Sequence, residues 1–423
     1  MMVGESNEPW LGKVPSKWTI RRIKDIAELK CGDGITSESI TPVGDFPVFG
    51  GNGLRGYTTS FTHDGHYVLI GRQGALCGNI NYAKGKFWAS EHAVVASMIG
   101  KIDTYWLGEL LRDMNLNQYS NAAAQPGLAV DRIKFLRIPV PPLEEQQRIA
   151  AYLDASCAAI DAAVAAKHRQ LGTLDALACS IINRAVTRGC EEHASLRPTG
   201  VVWFPEVPAK WRVARFKSMF RLIYRYPTYF NIEYVPEGIT EVRGEALTPD
   251  GFIDCLPDER YISPETAAQF PKTQLELGDI VMSVRGTMGK IGLVNAKYVG
   301  TNITANLLRL SPDNRRVTGE FLRWLMRSTY FNEALNSSAP QTTIKTITMP
   351  QLAKLRVALP PKPEQHQICI FLEKKIADVK RIVSGIETQI ATLIAYRKSL
   401  IHECVTGQRR ISDVDVNRAK AAR

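Results

Sequence analysis

The sequence predicts an α+β fold that is built twice, as two globular domains that are each followed by a long helix. Three observations predict it. Two segments of the chain recur in the same order, a heptad pattern follows each copy of the second segment, and short apolar runs alternate with Gly-rich turns elsewhere. The 423 residues are enough for about two or three domains.

The first recurring segment is short and bounded by tryptophans. Residues 10–18 read WLGKVPSKW and residues 203–211 read WFPEVPAKW, at an offset of 193. Each copy runs into a basic amphipathic stretch, TIRRIKDI in the first and RVARFKSM in the second. We predict that Trp18 and Trp211 are packing residues at a domain boundary and do not stack on bases.

The second recurring segment is longer. Residues 136–149 read LRIPVPPLEEQQRI and residues 355–368 read LRVALPPKPEQHQI, and the match continues without gaps to the Val-Thr pairs at 186–187 and 405–406. Its offset of 219, against 193 for the first segment, predicts that the second globular part is 26 residues longer. Two weaker matches lie in between: VLIGRQGALCGNI with IVMSVRGTMGKIG, and QPGL with QTTI.

Each Pro-Pro pair is followed by a helical pattern. This is the expected place for proline, since its fixed φ fits the first turn of a helix. Apolar residues then recur in steps of three and four, which is typical of a coiled coil, and only Lys167 and Arg397 interrupt the seam. We predict that the two helices pair with each other in antiparallel fashion. The alternative is that each amphipathic helix packs on its own domain. The seam residues are Leu153, Cys157, Ile160, Val164, Lys167, Leu171, Leu174, Ala178, Ile181 and Ala185, and then Leu372, Ile376, Val379, Val383, Ile386, Ile390, Leu393, Arg397, Leu400 and Cys404.

These patterns divide the chain into five parts. The globular domains are predicted at 1–142 and 191–360, the central and distal spacer helices at 143–190 and 361–408, and a loose basic tail at 409–423. Two amphipathic helices are predicted inside the globular domains, at Tyr105–Met114 and Glu320–Phe331.

Composition limits the class of protein. The net charge of +11 suggests a polyanionic partner such as nucleic acid, although a solvated basic surface would give the same count. The eight cysteines lack zinc-site spacing and suit reduced, mostly buried thiols. Since no signal-like apolar core and no apolar run of about 18 residues occurs, we expect a cytoplasmic protein without a membrane span.

The order of parts resembles the specificity subunit of type I restriction–modification enzymes, over residues 10–408. The WxxxVPxxW segment, the PPxxEQxxI helix start and the duplicated domain-plus-helix layout carry this resemblance. It implies that each globular part is a target-recognition domain for one half of a split DNA site, and that the antiparallel coiled coil sets the gap. It also implies two methyltransferase subunits as partners, a motor-nuclease subunit that can join them, and a role in DNA methylation and defence against foreign DNA. Because the two globular sequences differ, the implied site is asymmetric.

Polar side chains at the Gly-rich turns are the candidates for reading DNA, because Arg, Lys, Asn, Gln and Thr bond to base edges. For any one of them, turn chemistry or a solvated surface is an equally good explanation. His92 is predicted to be a satisfied core histidine. The candidates are Asn52, Arg55, Arg72, Gln73, Asn79 and Gln125 in the first domain, and Arg285, Thr287, Lys290, Asn302, Thr304, Gln341, Thr342 and Lys345 in the second.

Catalytic motifs are missing from the sequence. The Pro-Pro pairs lack the preceding Asn or Asp of a methyltransferase, no GxxxxGK[ST] is present, and GGNGLRG lacks the context of a nucleotide fingerprint. The only tempting ExK triplet, residues 373–375, falls on the distal helix. We therefore predict a non-catalytic subunit with no cofactor and no metal. The alternatives are an enzyme with an unfamiliar site and a basic nucleic-acid-binding scaffold without sequence specificity.

Overall fold

The computed structural model divides into two compact units. Unit 1 comprises Met1–Arg169 and Ile386–Arg423, and unit 2 comprises Gln170–Gly385. Both divisions fall inside the long helices, so each unit contains one globular domain and about half of each helix. The structure describes residues 3–5, 13–74, 76–120, 127–225, 232, 234–256, 258–285, 288–338 and 348–422.

Unit 1 is built on a six-stranded sheet, with a short antiparallel strand pair and a two-stranded ribbon in addition. The sheet order is β4-β9-β7-β8-β5-β6, β1 pairs with β2, and β3 pairs with β10. The strands are β1 (Val3–Glu5), β2 (Lys13–Pro15), β3 (Thr19–Arg22), β4 (Ala27–Cys31), β5 (Phe46–Gly50), β6 (Gly53–Thr58), β7 (His63–Gly71), β8 (Ile80–Ala89), β9 (Ala93–Met98) and β10 (Arg137–Val140). The helices are α1 (Thr104–Asp113), which packs on β7 and β8, then α2 (Val130–Ile133) and the first half of α3 (Leu143–Arg188).

Unit 2 has two four-stranded sheets, ordered β14-β21-β18-β19 and β15-β17-β16-β20, and the pairs β11–β12 and β13–β22. The strands are β11 (Leu196–Pro198), β12 (Glu206–Pro208), β13 (Arg212–Arg215), β14 (Phe220–Arg225), β15 (Tyr234–Val235), β16 (Ile239–Val242), β17 (Tyr261–Ile262), β18 (Ile280–Ser283), β19 (Ile291–Leu293), β20 (Asn302–Ile303), β21 (Leu307–Pro312) and β22 (Arg356–Leu359). The helices are α4 (Pro264–Gln269), α5 (Gly319–Arg327), α6 (Thr329–Ser338), α7 (Met349–Lys354) and the first half of α8 (Lys362–Val405). A last helix, α9 (Asp413–Ala421), belongs to unit 1.

The two units repeat one plan, which confirms the duplicated α+β fold. The order β4-β9-β7-β8 in unit 1 corresponds to β14-β21-β18-β19 in unit 2, and in each unit a helix, α1 or α5, follows the second strand in that order. The weakly matched segments at 68–80 and 280–292 both join the third strand to the fourth. Much of the additional length of unit 2 lies between β14 and β18, where β15, β16, β17 and α4 are inserted.

One predicted helix is wrong in its extent. The pattern over Glu320–Phe331 forms two helices, α5 and α6, because Ser328 adopts an extended backbone (φ −64°, ψ 146°). The Ser328 hydroxyl then accepts a hydrogen bond from the Phe331 N–H at 3.3 Å. A serine that caps the following turn competes with continuation of the helix before it.

The heptad seam is present as predicted. All twenty seam positions are buried or half-buried. In unit 1, Leu153 of α3 shares a core with Leu400 of α8, and in unit 2 Ile182 of α3 shares a core with Leu372 of α8. Since the first part of each helix meets the last part of the other, the pairing is antiparallel within each unit. The seam is therefore a helix–helix contact, as the coiled-coil prediction requires.

The two polar seam residues have partners on the opposite helix. Lys167 donates to the Gln389 amide oxygen, and Arg397 Nε lies 3.2 Å from Asp161 Oδ1. Both contacts lie inside unit 1. Long cationic side chains can reach out of a seam to a polar or acidic partner, which explains how the coil tolerates them.

Helix α3 is also long and apolar enough, by length and composition alone, to cross a membrane. An 18-residue window has a mean hydropathy of 1.5, and 33% of it is buried. The antiparallel seam with α8 is a sufficient explanation for this apolar character, because a coiled-coil helix needs apolar residues along one face.

A buried glutamine from each PPxxEQ segment joins a helix to its domain. In unit 1, Gln146 Oε1 accepts from the Asp103 N–H at 2.8 Å, and its Nε2 donates to the Pro141 carbonyl at 2.8 Å. Asp103 is the N-cap of α1, and its carboxylate accepts from the Trp106 N–H at 2.8 Å. One amide group thus connects the first turn of α3 to the start of α1.

Unit 2 repeats this joint with the same atoms. Gln365 Oε1 accepts from the Thr318 N–H at 3.0 Å, and its Nε2 donates to the carbonyls of Pro360 at 3.0 Å and Arg316 at 2.8 Å. Thr318 is the N-cap of α5. The repeated glutamine therefore has a structural reason that needs no ligand.

The tryptophans that end the repeated segments are buried, as predicted. Trp18 is 6% exposed and Trp211 is 1% exposed, and the Trp18 indole N–H donates to Glu145 Oε2 at 3.0 Å. Each ring packs on the glycine that ends a long helix, Gly407 for Trp18 and Gly189 for Trp211. Both glycines have positive φ (78° and 77°), the conformation that commonly ends a helix.

The predicted loose tail is wrong. Its residues form α9, which starts with a capping box: the Ser412 hydroxyl accepts from the Asp415 N–H at 3.3 Å, and the Asp415 carboxylate accepts from the Ser412 N–H at 3.0 Å. Val416 is 7% exposed within the unit 1 core, and Arg410 Nη1 lies 3.2 Å from Glu145 Oε1. The Ser-x-x-Asp spacing is a sequence signal for this helix start.

Removing either glutamine should loosen one joint and spare the other. We expect Gln146→Ala and Gln365→Ala to lower the free energy of unfolding by about 1–3 kcal/mol, because each leaves buried backbone groups without a partner. Hydrogen exchange should accelerate in the first turn of α1 for the first variant and of α5 for the second. Gln147→Ala and Gln367→Ala, at exposed neighbouring positions, are matched controls. Unchanged exchange in the buried variants would contradict the joint.

All eight cysteines are free, and four of them are exposed, which is more than the sequence suggested. Burial raises the pKa of the Cys157 thiol to about 11 and that of Cys404 to about 12. At pH 8 we therefore expect a thiol reagent to label exposed Cys31 and Cys179 and to spare the buried pair until urea is added. Because both pKa values are raised, the folded pair remains protonated below pH 9, and its reactive thiolates form only as the pH reaches about 11 for Cys157 and about 12 for Cys404. Mass spectrometry of labelled peptides measures it, and rapid labelling of the folded pair at pH 8 would refute the seam.

Candidate nucleic-acid interface

A cavity in unit 1 brings together three of the predicted DNA-reading residues. It lies where the β5–β6 turn meets the connection that follows β7, and its volume is about 640 Å³. Asn52 and Arg55, predicted from one Gly-rich segment, and Gln73, predicted from another, all line it. The full lining is Gly51, Asn52, Gly53, Leu54, Arg55, Gln73, Gly74, Leu76 and His92.

Arg55 lies on β6, two residues after the strand begins, and is exposed to solvent. Its aliphatic stem covers Gly50, where an added Cβ would lie 2.5 Å from Arg55 Cδ, so the position takes no side chain unless Arg55 moves. Gly53 makes the turn with φ +92°. Within the described part of the chain, the exposed Arg55 guanidinium has no acidic partner. Such an arginine is available for a base edge or a phosphate.

The other predicted residues of unit 1 support the cavity wall. Asn79 Nδ2 donates to Asn52 Oδ1 at 3.1 Å, which links the two loops that form the cavity. Arg72 is half-buried, and its Nη1 donates to the Glu91 carbonyl at 3.4 Å. These contacts position the loops, so Arg72 and Asn79 are less available to a ligand than Arg55.

His92 is not the core histidine that the sequence predicted. Its side chain is 41% exposed and lines the cavity. Its Nδ1 lies 3.1 Å from Gln73 Oε1, and its Nε2 lies 3.1 Å from Glu91 Oε1. His92 therefore orients Gln73. The prediction failed because His92 ends a turn just before β9 begins at Ala93, whereas the pattern was interpreted as one apolar run.

Two exposed leucines, which the sequence analysis did not select, complete the surface. Leu54 is 53% exposed and Leu76 is 50% exposed, and both line the cavity. Apolar side chains next to polar readers can contact a thymine methyl group in the major groove. Their position beside glycines in a short turn was the available signal.

In unit 2 the predicted residues are more dispersed. Arg285 and Lys290 are exposed in the connection from β18 to β19, which corresponds to the connection after β7 in unit 1. Lys290 also lines a cavity of about 370 Å³ with Met288, Arg327 and Asn332. Five candidates lie outside the described residues: Gln125, Thr287, Gln341, Thr342 and Lys345.

Asn302 must be removed from the candidates. It is 0% exposed in β20, where it pairs in parallel with Glu241 of β16, so its amide does not reach a surface that DNA could contact. Thr304 is half-buried, and its N–H donates to the Val242 carbonyl at 3.2 Å. Asn302 and Ile303 are buried because they form the short edge strand β20, which pairs with β16, and not an open turn.

The acidic residue of the ExK triplet has a structural partner. Glu373 on α8 accepts from the Arg323 guanidinium, whose carbon lies 4.3 Å from the centroids of both the Phe252 and the Trp324 ring. Among the described residues, no group of three or more His, Cys, Asp or Glu is arranged to hold a metal ion.

Comparison with known proteins identifies the family. A family model described as "Type I restriction modification DNA specificity domain" matches residues 15–167 and 227–392, most of the chain. The chain belongs to this family. The type I restriction enzyme EcoprrI specificity subunit of Escherichia coli is 46% identical over 138 residues, which cover 32% of this chain and 34% of the relative. The putative type I restriction enzyme MjaX specificity subunit of Methanocaldococcus jannaschii is 23% identical over 95% of this chain and 96% of the relative.

Solved structures show the same fold. A chain from work on the complex assembly and conformational transition of the type I R-M system has a TM-score of 0.71 at 18% identity, and covers 94% of this chain and 100% of its own length. The HsdS subunit from Thermoanaerobacter tengcongensis has a TM-score of 0.52 at 16% identity, over 95% of this chain and 99% of its own. The predicted fold class, two recognition domains each followed by a long helix, is confirmed.

Proposed function

We propose that each globular domain of this specificity subunit reads one half of a split, asymmetric DNA site. One observation carries the proposal: both units contain the same order of four strands, whereas the corresponding connections between the third and fourth of these strands present different side chains. Unit 1 presents the neighbourhood of Arg72 and Gln73, and unit 2 presents Arg285 and Lys290. One scaffold with two sets of polar side chains suits two different short sequences.

The helices α3 and α8 would fix the gap between the half-sites and dock two methyltransferase subunits, and a motor-nuclease subunit would join some assemblies. The paired seam supports the first role, because a continuous coiled coil resists bending better than a loop. The relatives are named as subunits of restriction enzymes, which supports the second. The chain itself would be non-catalytic and would work in the cytoplasm.

Mapping of all methylated bases in a genome tests whether each globular domain reads one half-site and whether the helices set the gap. The subunit would be co-expressed with its methyltransferase in a host that lacks DNA methylation, and all modified bases mapped. Residues 23–136 would be replaced in one variant and residues 216–355 in another, each by the corresponding domain of a relative with another site. Each replaced segment begins directly after the first strand of a pair and ends directly before the second, β3 and β10 in unit 1 and β13 and β22 in unit 2. The strand pairs that lead to the long helices therefore keep their own sequence.

We expect a motif of two short blocks around an unspecified gap, with one block changed in each variant and the gap length kept. Methylation without the subunit, or a motif that neither replacement alters, would reject the proposal. Binding without any sequence preference would favour the basic scaffold instead.

Substitution of Arg55 is the most direct single-residue test of base reading in unit 1. We expect Arg55→Ala to weaken binding of the assembled complex to its specific duplex by about 1–3 kcal/mol, and to relax the preference at one position of one block. Its exposed guanidinium makes little contribution to the fold, so the thermal midpoint should stay unchanged. Arg418→Ala, at an exposed arginine of unit 1 that lies outside the cavity and outside the β3–β10 pair, is the control for charge. An equal loss on specific and random duplexes would show a phosphate contact and exclude base reading.

A further inference from the structure

A two-stranded ribbon joins the globular domain to the long helix in each unit, and both ribbons carry arginines directly opposite each other. In unit 1, the register of β3 with β10 places Arg22 opposite Arg137. In unit 2, the register of β13 with β22 places Arg215 opposite Arg356. These pairs occupy equivalent positions of the two repeats, at offsets of 193 and 219.

Like charges opposite each other destabilise a strand pair, so their repetition calls for an explanation. Two more cations flank each pair, Lys24 and Lys134 in unit 1, and Lys217 and Lys354 in unit 2. Each ribbon therefore carries an arginine pair at the same place in the fold, with two lysines beside it. Lys24 and Lys217 are equivalent at the offset of 193, whereas Lys134 and Lys354 are displaced by one position from the offset of 219. We call these two sets the basic ribbons. They consist of Arg22, Lys24, Lys134 and Arg137 in unit 1, and Arg215, Lys217, Lys354 and Arg356 in unit 2.

The charges of the unit 1 ribbon are only partly neutralised within the chain. Arg22 Nε lies 3.1 Å from Asp25 Oδ2, and Lys134 pairs with exposed Asp131. The Lys134 and Lys24 ammonium groups lie 5.3 Å and 4.5 Å from the centroid of the Phe135 ring. In the part of the chain that the structure describes, Lys24 has no acidic partner, and the same holds for Arg137.

The cations of the unit 2 ribbon are more accessible to a ligand than those of the unit 1 ribbon. All four of its cations are exposed, and none has an acidic partner among the residues that the structure describes. No large apolar side chain is exposed on β13 or β22. A stable protein interface needs a desolvated core, which this surface does not offer, whereas a phosphate chain needs only accessible cations.

We propose that the basic ribbons bind the sugar-phosphate backbone of duplex DNA, separately from the surfaces that read bases. This inference rests on the proposed function. The DNA backbone has the same chemistry in both half-sites. We therefore expect the residues that bind it to recur in both repeats. Base-reading residues face different sequences, and they differ between the units, as the connections after β7 and β18 do.

The salt dependence of binding tests the ribbons. The full complex with methyltransferase subunits would carry Arg215→Gln with Arg356→Gln, or Lys24→Gln with Arg137→Gln. Dissociation constants would be measured against salt for the specific duplex and for a scrambled one. We expect the slope of log K against log salt to become shallower by about 0.9 for each lost phosphate contact. Affinity should fall on the order of tenfold on both duplexes alike.

Lys398→Gln with Lys420→Gln is the matched control, since it removes two exposed cations outside the ribbons and lowers the net charge equally. Its slope should equal that of the unchanged protein. Arg215→Lys with Arg356→Lys keeps the charges and should keep the slope, which separates lost charge from a folding defect.

Three results would overturn the proposal. An unchanged slope in both ribbon variants excludes phosphate contact. Loss of assembly with the methyltransferase, while assembled complexes keep the full slope, assigns the ribbons to an acidic protein face. A changed methylation motif assigns them to base reading. If the unchanged complex shows no sequence preference, the proposed function fails, and the slope comparison still decides whether the ribbons hold phosphate.

Discussion

The architecture depends on two buried side-chain amides. Gln146 and Gln365 each bond to the carbonyl of a proline just before a long helix and to the backbone of the residue that caps a domain helix. They are 2% and 0% exposed, so water cannot replace these bonds. A coiled coil can set a distance only if the domains are fixed to it. In each unit, one side-chain amide group makes this attachment between the globular domain and the long helix.

Each unit adds a second attachment of a different kind. In unit 1, His402 Nδ1 of α8 lies 2.9 Å from Asp113 Oδ2 at the end of α1. In unit 2, Arg323 of α5 pairs with Glu373 of α8 while its guanidinium lies against two aromatic rings. The backbone-directed joint is thus repeated, while the side-chain pairs diverged. A bond to a carbonyl or an N–H survives changes elsewhere in the sequence, whereas an ion pair requires two side chains to change together.

Periodic and repeated features could be predicted from the sequence, and single-residue environments could not. The seam and the two offsets extend over many residues, so each adds independent support to one interpretation. The burial of Asn302, the helix break at Ser328 and the exposure of His92 each depend on what a neighbouring strand or turn does to one position. For the candidate site, the Gly-rich segments of unit 1 could be recognised in the sequence, because glycine marks turns. Which of their side chains face a cavity follows from strand pairing, which sequence alone did not give.

Unit 1 is discontinuous, and this affects the order in which the protein can fold during synthesis. Its core contains Leu400, Ile401 and Cys404, which leave the ribosome after all of unit 2. At ~5–20 residues per second, the first domain waits on the order of ten to forty seconds with an apolar helix face uncovered. The domain that is made first is therefore finished last, and it is the one most exposed to chaperones and proteases. A premature stop close to the end of the message damages the amino-terminal domain, whereas the domain made just before the stop keeps its core.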